Sequence, residues 1–227
     1  MEWELIGRNV AKRVKLPHIE RYEPQKLMVK QAIRLLEAAR GSRLEALLLL
    51  ALTTGMRRGE LLALRWSDVD LDSRVLHVRR TMNFIGGLGY VEGEPKTRAG
   101  RRDIVLPDVA VEALKQHRVH QGEARVKAGL RWREQGIVFP NMYGGFFSPA
   151  QVGKLFHGLL KKAGLPDVRL HDLRHSVATI LRASGVDLKV IQGLLGHSSM
   201  AITADIYSHV LPEERGEVAS KMDDFFK

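Results

Sequence analysis

The feature that most constrains the fold is a change of hydrophobic period along the chain. Before residue 74 and after residue 108, apolar residues recur mainly at the three- and four-residue spacing of an amphipathic helix. In between, "RVLHVRR" (74–80) and "RRDIVLP" (101–107) alternate apolar and polar residues as strands do, with a glycine-rich turn at 86–89. The chain therefore predicts a mainly α-helical domain with a small antiparallel β-sheet, an α+β fold.

Boundary signals locate the helices. The stretch "SRLE" (42–45) matches a capping box, which predicts a helix running to Thr54 with Gly55 at its end. The stretch "SPAQVGKLFHGLLKKAG" (148–164) opens with serine at the cap and proline at the first helical position, and it closes with glycine. Other helices are predicted at 23–40, from Asp108 onward, at 170–184, at 187–195 and at 213–226.

Composition narrows the class of protein. The chain has no cysteine, which excludes disulfides, thiolate metal sites and cysteine nucleophiles. Its longest apolar stretch contains Glu45 and is too short for a membrane span, and no signal peptide precedes it, so we expect a cytoplasmic protein with no membrane partner. Lys and Arg number 36 against 26 acidic residues, a net charge of +10. This balance favours a polyanionic partner, with nucleic acid first.

The pentapeptide "HDLRH" (171–175) opens a predicted helix and concentrates positive groups. Positions i, i+3 and i+4 share one helical face, so His171, Arg174 and His175 should point the same way. Two histidines four apart also have the spacing of zinc ligands, but an arginine between them would repel the cation, and we predict no metal and no cofactor. A phosphate, which an arginine binds through two oxygens, is the better ligand.

Two further basic residues are candidates for the same phosphate site. Arg57, in "TTGMRRGELLALRW", stands at a predicted helix start, where Glu60 three residues later can hold it. Lys96 is the only lysine between Lys30 and Lys115, although arginines are plentiful there. A lysine can give up a proton and a guanidinium cannot, so Lys96 is a candidate proton donor, with a solvated loop lysine as the alternative.

The last two candidates are His197 in "LLGHSS" and Tyr207 in "ITADIYSHV". The ordered set of Arg57, Lys96, "HDLRH", Gly196–His197 and Tyr207, with the phrases around them, resembles the catalytic domain of the tyrosine recombinases, the phage integrase family. The resemblance extends over about residues 24–212 and implies that fold. Each motif is weak alone, but five in this order and spacing are specific.

The resemblance also implies a reaction. Tyr207 would attack a DNA phosphodiester, forming a 3′-phosphotyrosyl link that a second strand's 5′-hydroxyl later reverses. Arg57, Arg174 and His197 would bind the phosphate, Lys96 would protonate the leaving 5′-oxygen, and His171 would assist proton removal from the tyrosine. Glu60 would support the site, and His175 falls outside the family's catalytic set.

Expectations about organisation and partners follow. Residues 1–23 read as a linker or the remnant of a junction to a missing N-terminal DNA-binding domain, 24–212 as the catalytic domain, and 213–227 as a helical tail that docks on its own domain or on a neighbouring protomer. The implied partners are double-stranded DNA, a homotetramer on that DNA, and accessory proteins that bend DNA or set direction.

Other functions stay open at this point. We favour integration or excision of a mobile element, and a Xer-type chromosome resolvase is the alternative. A topoisomerase or hairpin-forming resolvase would use the same tyrosine ester, and a DNA-binding decoy would have the fold without the reaction.

Overall fold

The computed structural model describes residues 25–85, 89–95 and 97–196. These residues form seven α-helices and two small antiparallel sheets, which confirms the predicted mainly α-helical fold with antiparallel strands. The helices are α1 (Val29–Ala39), α2 (Glu45–Thr54), α3 (Arg58–Leu62), α4 (Asp108–Ala128), α5 (Pro149–Lys162), α6 (Asp172–Ala183) and α7 (Leu188–Leu195). The strands are β1 (Val69–Asp70), β2 (Val75–Val78), β3 (Thr81–Ile85), β4 (Gly89–Gly93) and β5 (Arg102–Val105).

Helix α2 is the centre of the core. Its leucines and alanines are buried around most of its circumference, and α1, α4 and α6 pack against it. The predicted end is confirmed, because Gly55 takes a left-handed conformation with φ of 62° and its amide bonds to Ala51. The backbone therefore turns sharply between α2 and α3.

The start of α2 differs from the predicted capping box. Glu45 accepts a hydrogen bond from the Gly41 amide at 2.7 Å, and the Ser42 hydroxyl accepts one from the Leu44 amide at 3.3 Å. Residues 40–44 form a tight turn after α1, so these side chains satisfy the amides of that turn. The helix itself begins at Glu45.

The strands form two sheets where the sequence predicts one. The first has the order β1-β2-β5, and the second is the antiparallel pair β3-β4. Strand β3 packs on α3, where a Cβ added to Gly59 would lie 2.6 Å from Thr81 Oγ1 and 2.8 Å from the Met82 carbonyl. This close approach ties the β3-β4 pair to the helical core at α3.

The later helices agree with their boundary signals. Helix α5 begins after Ser148 with Pro149 in its first turn, and Gly164 just beyond it has φ of 60°. Helix α6 starts at Asp172 within the "HDLRH" stretch, and α7 ends at Gly196 with φ of 65°. The predicted helix at 213–226 lies outside the described residues.

Candidate active site

Arg57 occupies the residue before α3, where Glu60 holds it from inside the domain. The Glu60 carboxylate accepts hydrogen bonds from the Arg57 amide at 2.9 Å and from Arg57 Nη1 at 2.8 Å. Glu60 is only 2% exposed, whereas about a third of the Arg57 side chain (35%) faces solvent. Glu60 thus caps the helix and aims the arginine at the surface, as the spacing predicts.

Electrostatics keep Glu60 ionised in its buried position. Burial acts to raise the pKa of Glu60, but hydrogen bonds and charge from Arg102 and hydrogen bonds from Arg57 outweigh it and lower the pKa below its ordinary value. The carboxylate is therefore a permanent anion between two guanidinium groups.

Arg174 reaches the same place from α6. It is 4% exposed, and its Nη1 donates a hydrogen bond of 2.9 Å to the carbonyl of Gly55, two residues before Arg57. Within the described part of the chain, its Nη2 has no hydrogen-bond partner. A buried cation with an unused donor is costly unless an anion joins it, so this guanidinium is suited to an oxyanion.

Burial, and then the positive charge of Arg57, lower the pKa of Arg174 to about 9, while the Glu60 carboxylate opposes this shift. Because the group still binds its proton at neutral pH, the two arginines offer two positive charges to one ligand.

His171 is the residue before α6 and keeps part of its surface exposed. Desolvation of its ring, followed by the nearby His175 and Arg174, lowers its pKa to about 4, and Arg57 contributes in the same direction. His171 is therefore a neutral imidazole at pH 7, able to accept a proton. Its ring meets the His175 ring edge-on, with centroids 5.8 Å apart.

The structure thus brings together four of the predicted residues, Arg57, Glu60, His171 and Arg174. The predicted Lys96, His197 and Tyr207 lie outside the described residues. The backbone next to one of them is described, because Gly196 immediately precedes His197 and its carbonyl accepts a hydrogen bond of 3.0 Å from Arg57 Nη2.

Sequence reasoning missed Arg102. Its side chain is 7% exposed and forms a two-pronged ion pair with Glu60, with Nη2 to Oε2 at 3.0 Å and Nη1 to Oε1 at 3.3 Å. A signal was available: strand alternation puts Arg102 on the same face of β5 as the buried Ile104. An arginine at an inward strand position needs a buried partner.

The described residues contain neither a candidate metal site nor a candidate membrane span. In the stretches 25–85, 89–95 and 97–196, no group of three or more His, Cys, Asp or Glu side chains is arranged to hold a metal ion. No helix in that part of the chain is both long and apolar enough to cross a bilayer.

Comparison with known sequences matches residues 25–214 to the phage integrase family. The chain belongs to the phage integrase family. Among its relatives, a tyrosine recombinase XerC-like protein of Caldanaerobacter subterraneus subsp. tengcongensis is 38% identical over 201 residues, 84% of this chain and 51% of the relative. An integrase of Streptomyces ambofaciens is 33% identical, covering 100% of this chain and 60% of the relative.

The fold of this chain is also similar to that of solved structures. The Tn1549 transposon integrase in complex with circular intermediate DNA aligns with a TM-score of 0.73 and 25% identity, over 88% of this chain and 68% of that one. This chain spans about half to three fifths of the length of the two curated relatives.

Proposed function

We propose that this member of the phage integrase family is the catalytic part of a site-specific DNA recombinase. The observation that carries the proposal is the convergence of Arg57 and Arg174 from two helix starts, with one buried guanidinium nitrogen of Arg174 still unpartnered. Two arginines held this way suit the non-bridging oxygens of a phosphodiester. The net charge of +10 and the DNA-bound Tn1549 transposon integrase structure support double-stranded DNA as the substrate.

The reaction we propose is a pair of transesterifications. The Tyr207 oxygen forms a bond to phosphorus while the bond to the 5′-oxygen breaks, which leaves a 3′-phosphotyrosyl ester and a 5′-hydroxyl. A 5′-hydroxyl of a second strand then displaces the tyrosine. One phosphodiester is consumed and one is formed, so the sequence of steps needs no ATP.

Two side chains, His171 and Lys96, carry the proton transfers of this reaction. His171, neutral because its pKa is lowered to about 4, helps remove the phenol proton, since an unperturbed tyrosine has a pKa near 10. Lys96 supplies a proton to the leaving 5′-oxygen, and His197 donates a hydrogen bond to the phosphate. Arg57 and Arg174 offset the negative charge that grows on the phosphate, with Glu60 as their support.

We further propose a biological setting of integration or excision of a mobile element in the cytoplasm. It would involve residues 24–212 as the catalytic unit, a homotetramer on DNA, a tail at 213–227 that docks in cis or in trans, and accessory DNA-bending or directionality proteins. The relatives include an integrase of Streptomyces ambofaciens and the ICEBs1 integrase of Bacillus subtilis. The XerC-like relative at 38% identity favours a second candidate, a chromosome resolvase.

A nicked suicide substrate tests the chemistry. We expect a covalent protein–DNA adduct with the unchanged chain and none with Tyr207→Phe, because the phenol oxygen is the only atom removed. Joining of the cleaved strand to a second duplex distinguishes recombination from relaxation by a topoisomerase. DNA binding without an adduct in the unchanged chain would overturn the proposal in favour of a decoy. Attachment-site and resolution-site DNA, compared in the same assay, separate the two settings.

A further inference from the structure

Arg102 is the residue of this site that the proposed reaction leaves without a role. Its guanidinium uses all three nitrogens: Nε donates to the Leu194 carbonyl at 2.6 Å, Nη1 to the Gly100 carbonyl at 3.1 Å, and Nη1 and Nη2 to Glu60. Four acceptors on a side chain that is 7% exposed leave it little freedom to move. Such a group fixes the segments that supply those acceptors.

Those acceptors belong to three segments separated along the chain. Glu60 lies in α3 and holds Arg57, Leu194 lies in the last turn of α7, and Gly100 closes the short helical turn before β5, four residues after Lys96. Each of these segments is next to a residue of the proposed reaction: α3 follows Arg57, the turn at Gly100 follows Lys96, and α7 precedes His197. Arg102 is the one side chain in the described parts of the chain that bonds to all three.

The end of α7 is the point where this matters most. A helix C-terminus leaves carbonyls without partners inside the helix, and cations near it are favourable. Here the Leu194 carbonyl bonds to Arg102 and the Gly196 carbonyl bonds to Arg57, and both arginines bind the same carboxylate of Glu60. The direction in which the chain leaves α7 is therefore tied to the position of Arg57.

Close packing at Gly196 also holds the end of α7 against the turn before β5. A Cβ at this position would lie 2.5 Å from the Ala99 carbonyl and 3.0 Å from Arg102 Nη1, and the backbone has φ of 65°. Glycine alone permits both the left-handed turn and this contact. The exit of α7 thus lies directly against the turn that follows Lys96.

We propose that Arg102 is a positioning residue for strand cleavage: it joins the exit of α7, the Glu60–Arg57 pair and the turn at Gly100 into one rigid unit. The inference rests on the proposed function. Arg102 itself touches no reacting atom, and its effect passes through Glu60 to Arg57 and through the backbone at Leu194 and Gly100. It should change the rate of cleavage and leave the affinity for DNA nearly unchanged.

The test measures single-turnover adduct formation on the suicide substrate separately from DNA binding by fluorescence anisotropy. For Arg102→Lys we expect the cleavage rate at saturating DNA to fall about 100-fold, with a dissociation constant within about threefold of the unchanged chain. A lysine keeps the charge but cannot reach Glu60, Leu194 and Gly100 together. The matched control is Arg101→Lys, whose side chain is 54% exposed and pairs with Glu94 on the surface, and it should cleave normally.

A second variant keeps the proposal testable if Arg102→Lys fails to fold. Gly196→Ala leaves every charge in place and pushes the α7 exit away from Ala99, so it should also lower the cleavage rate at unchanged affinity. Adding methylguanidinium to Arg102→Ala should restore part of the rate. Normal cleavage by a folded Arg102→Lys protein, or rate and affinity falling together in both variants, would overturn the inference. Absence of any adduct with the unchanged chain would instead refute the proposed function.

Discussion

Within the described residues, the buried Arg174 guanidinium donates hydrogen bonds to backbone only, and Glu60 supports its charge from a distance. One nitrogen bonds to the Gly55 carbonyl, another has no partner within the described residues, and Arg57 lies close enough to disfavour the charge. Arg102, in contrast, is matched by Glu60. The two arginines therefore should differ in what they contribute to the stability of the free protein.

We predict that Arg174→Met leaves the free energy of unfolding within about 1 kcal/mol of the unchanged chain, or raises it, because an incompletely paired buried charge is removed. The same change should abolish cleavage. Arg102→Met is the control and should lower the free energy by about 2–3 kcal/mol, since the buried Glu60 carboxylate loses one of its two guanidinium partners and keeps only Arg57. Urea denaturation measures both. A decrease of more than about 3 kcal/mol in the free energy of unfolding of Arg174→Met would contradict this prediction and show that Arg174 stabilises the fold.

The imidazole of His171 sets the expected pH dependence. Its pKa is lowered to about 4, first by desolvation and then by His175 and Arg174, so it loses its ability to accept a proton only as the pH falls through that value. We therefore predict that the cleavage rate, plotted against pH, shows no inflection near 6.5, the ordinary pKa of a histidine. Single-turnover rates from pH 5 to 8, with circular dichroism to follow folding, measure this. An acid limb at pH 6.5 that vanishes in His171→Gln would contradict the assignment.

The turn between α2 and α3 places Arg57 and the Gly55 carbonyl, and it depends on one glycine. Gly55 has φ of 62°, and an added Cβ would overlap the Leu195 side chain of α7. We predict that Gly55→Ala lowers the free energy of unfolding by about 1–3 kcal/mol. In Gly158→Ala the new methyl meets nothing within 4 Å inside α5, so this control should gain about 0.5–1 kcal/mol. Equal effects in urea denaturation would rule out strain at the turn.

Most of the secondary structure could be predicted from local sequence patterns. Helix ends were predictable where a glycine or a Ser-Pro pair is required by backbone geometry, as at Gly55 and at Ser148–Pro149. The packing of the β3-β4 pair on α3 was not predictable, because it depends on the approach of Gly59 to β3, between residues over 20 positions apart. The capping box at 42–45 differed because the turn before α2 has amides of its own to satisfy.

The candidate site also contains local contacts that the sequence predicts and long-range contacts that it does not. The pairing of Glu60 with Arg57 is local and follows from their spacing. The bonds from Arg174 to Gly55 and from Arg102 to Leu194 join residues 119 and 92 positions apart, and no periodicity in the sequence expresses them. Arg102 was visible only as an arginine on the inward face of a short strand.

The charge of the entire chain governs its encounter with DNA. With a net charge of +10 and phosphate-directed arginines, we predict that affinity falls about 100-fold or more between 50 and 200 mM salt, and that the isolated chain binds weakly. Arg57→Gln should reduce the slope of log affinity against log salt by about 1. Fluorescence anisotropy measures both. Nanomolar, sequence-selective binding at physiological salt would contradict the prediction.

The contact of Gly59 with Thr81 and Met82 has a consequence for engineering. At Gly59 the backbone of helix α3 lies directly against the Thr81 hydroxyl and the Met82 backbone of strand β3, which leaves little room for a mismatch between the two elements. Chimaeras that exchange the β3-β4 pair between homologues should therefore transfer α3 in the same cassette, with crossover points before Arg57 and after Gly93.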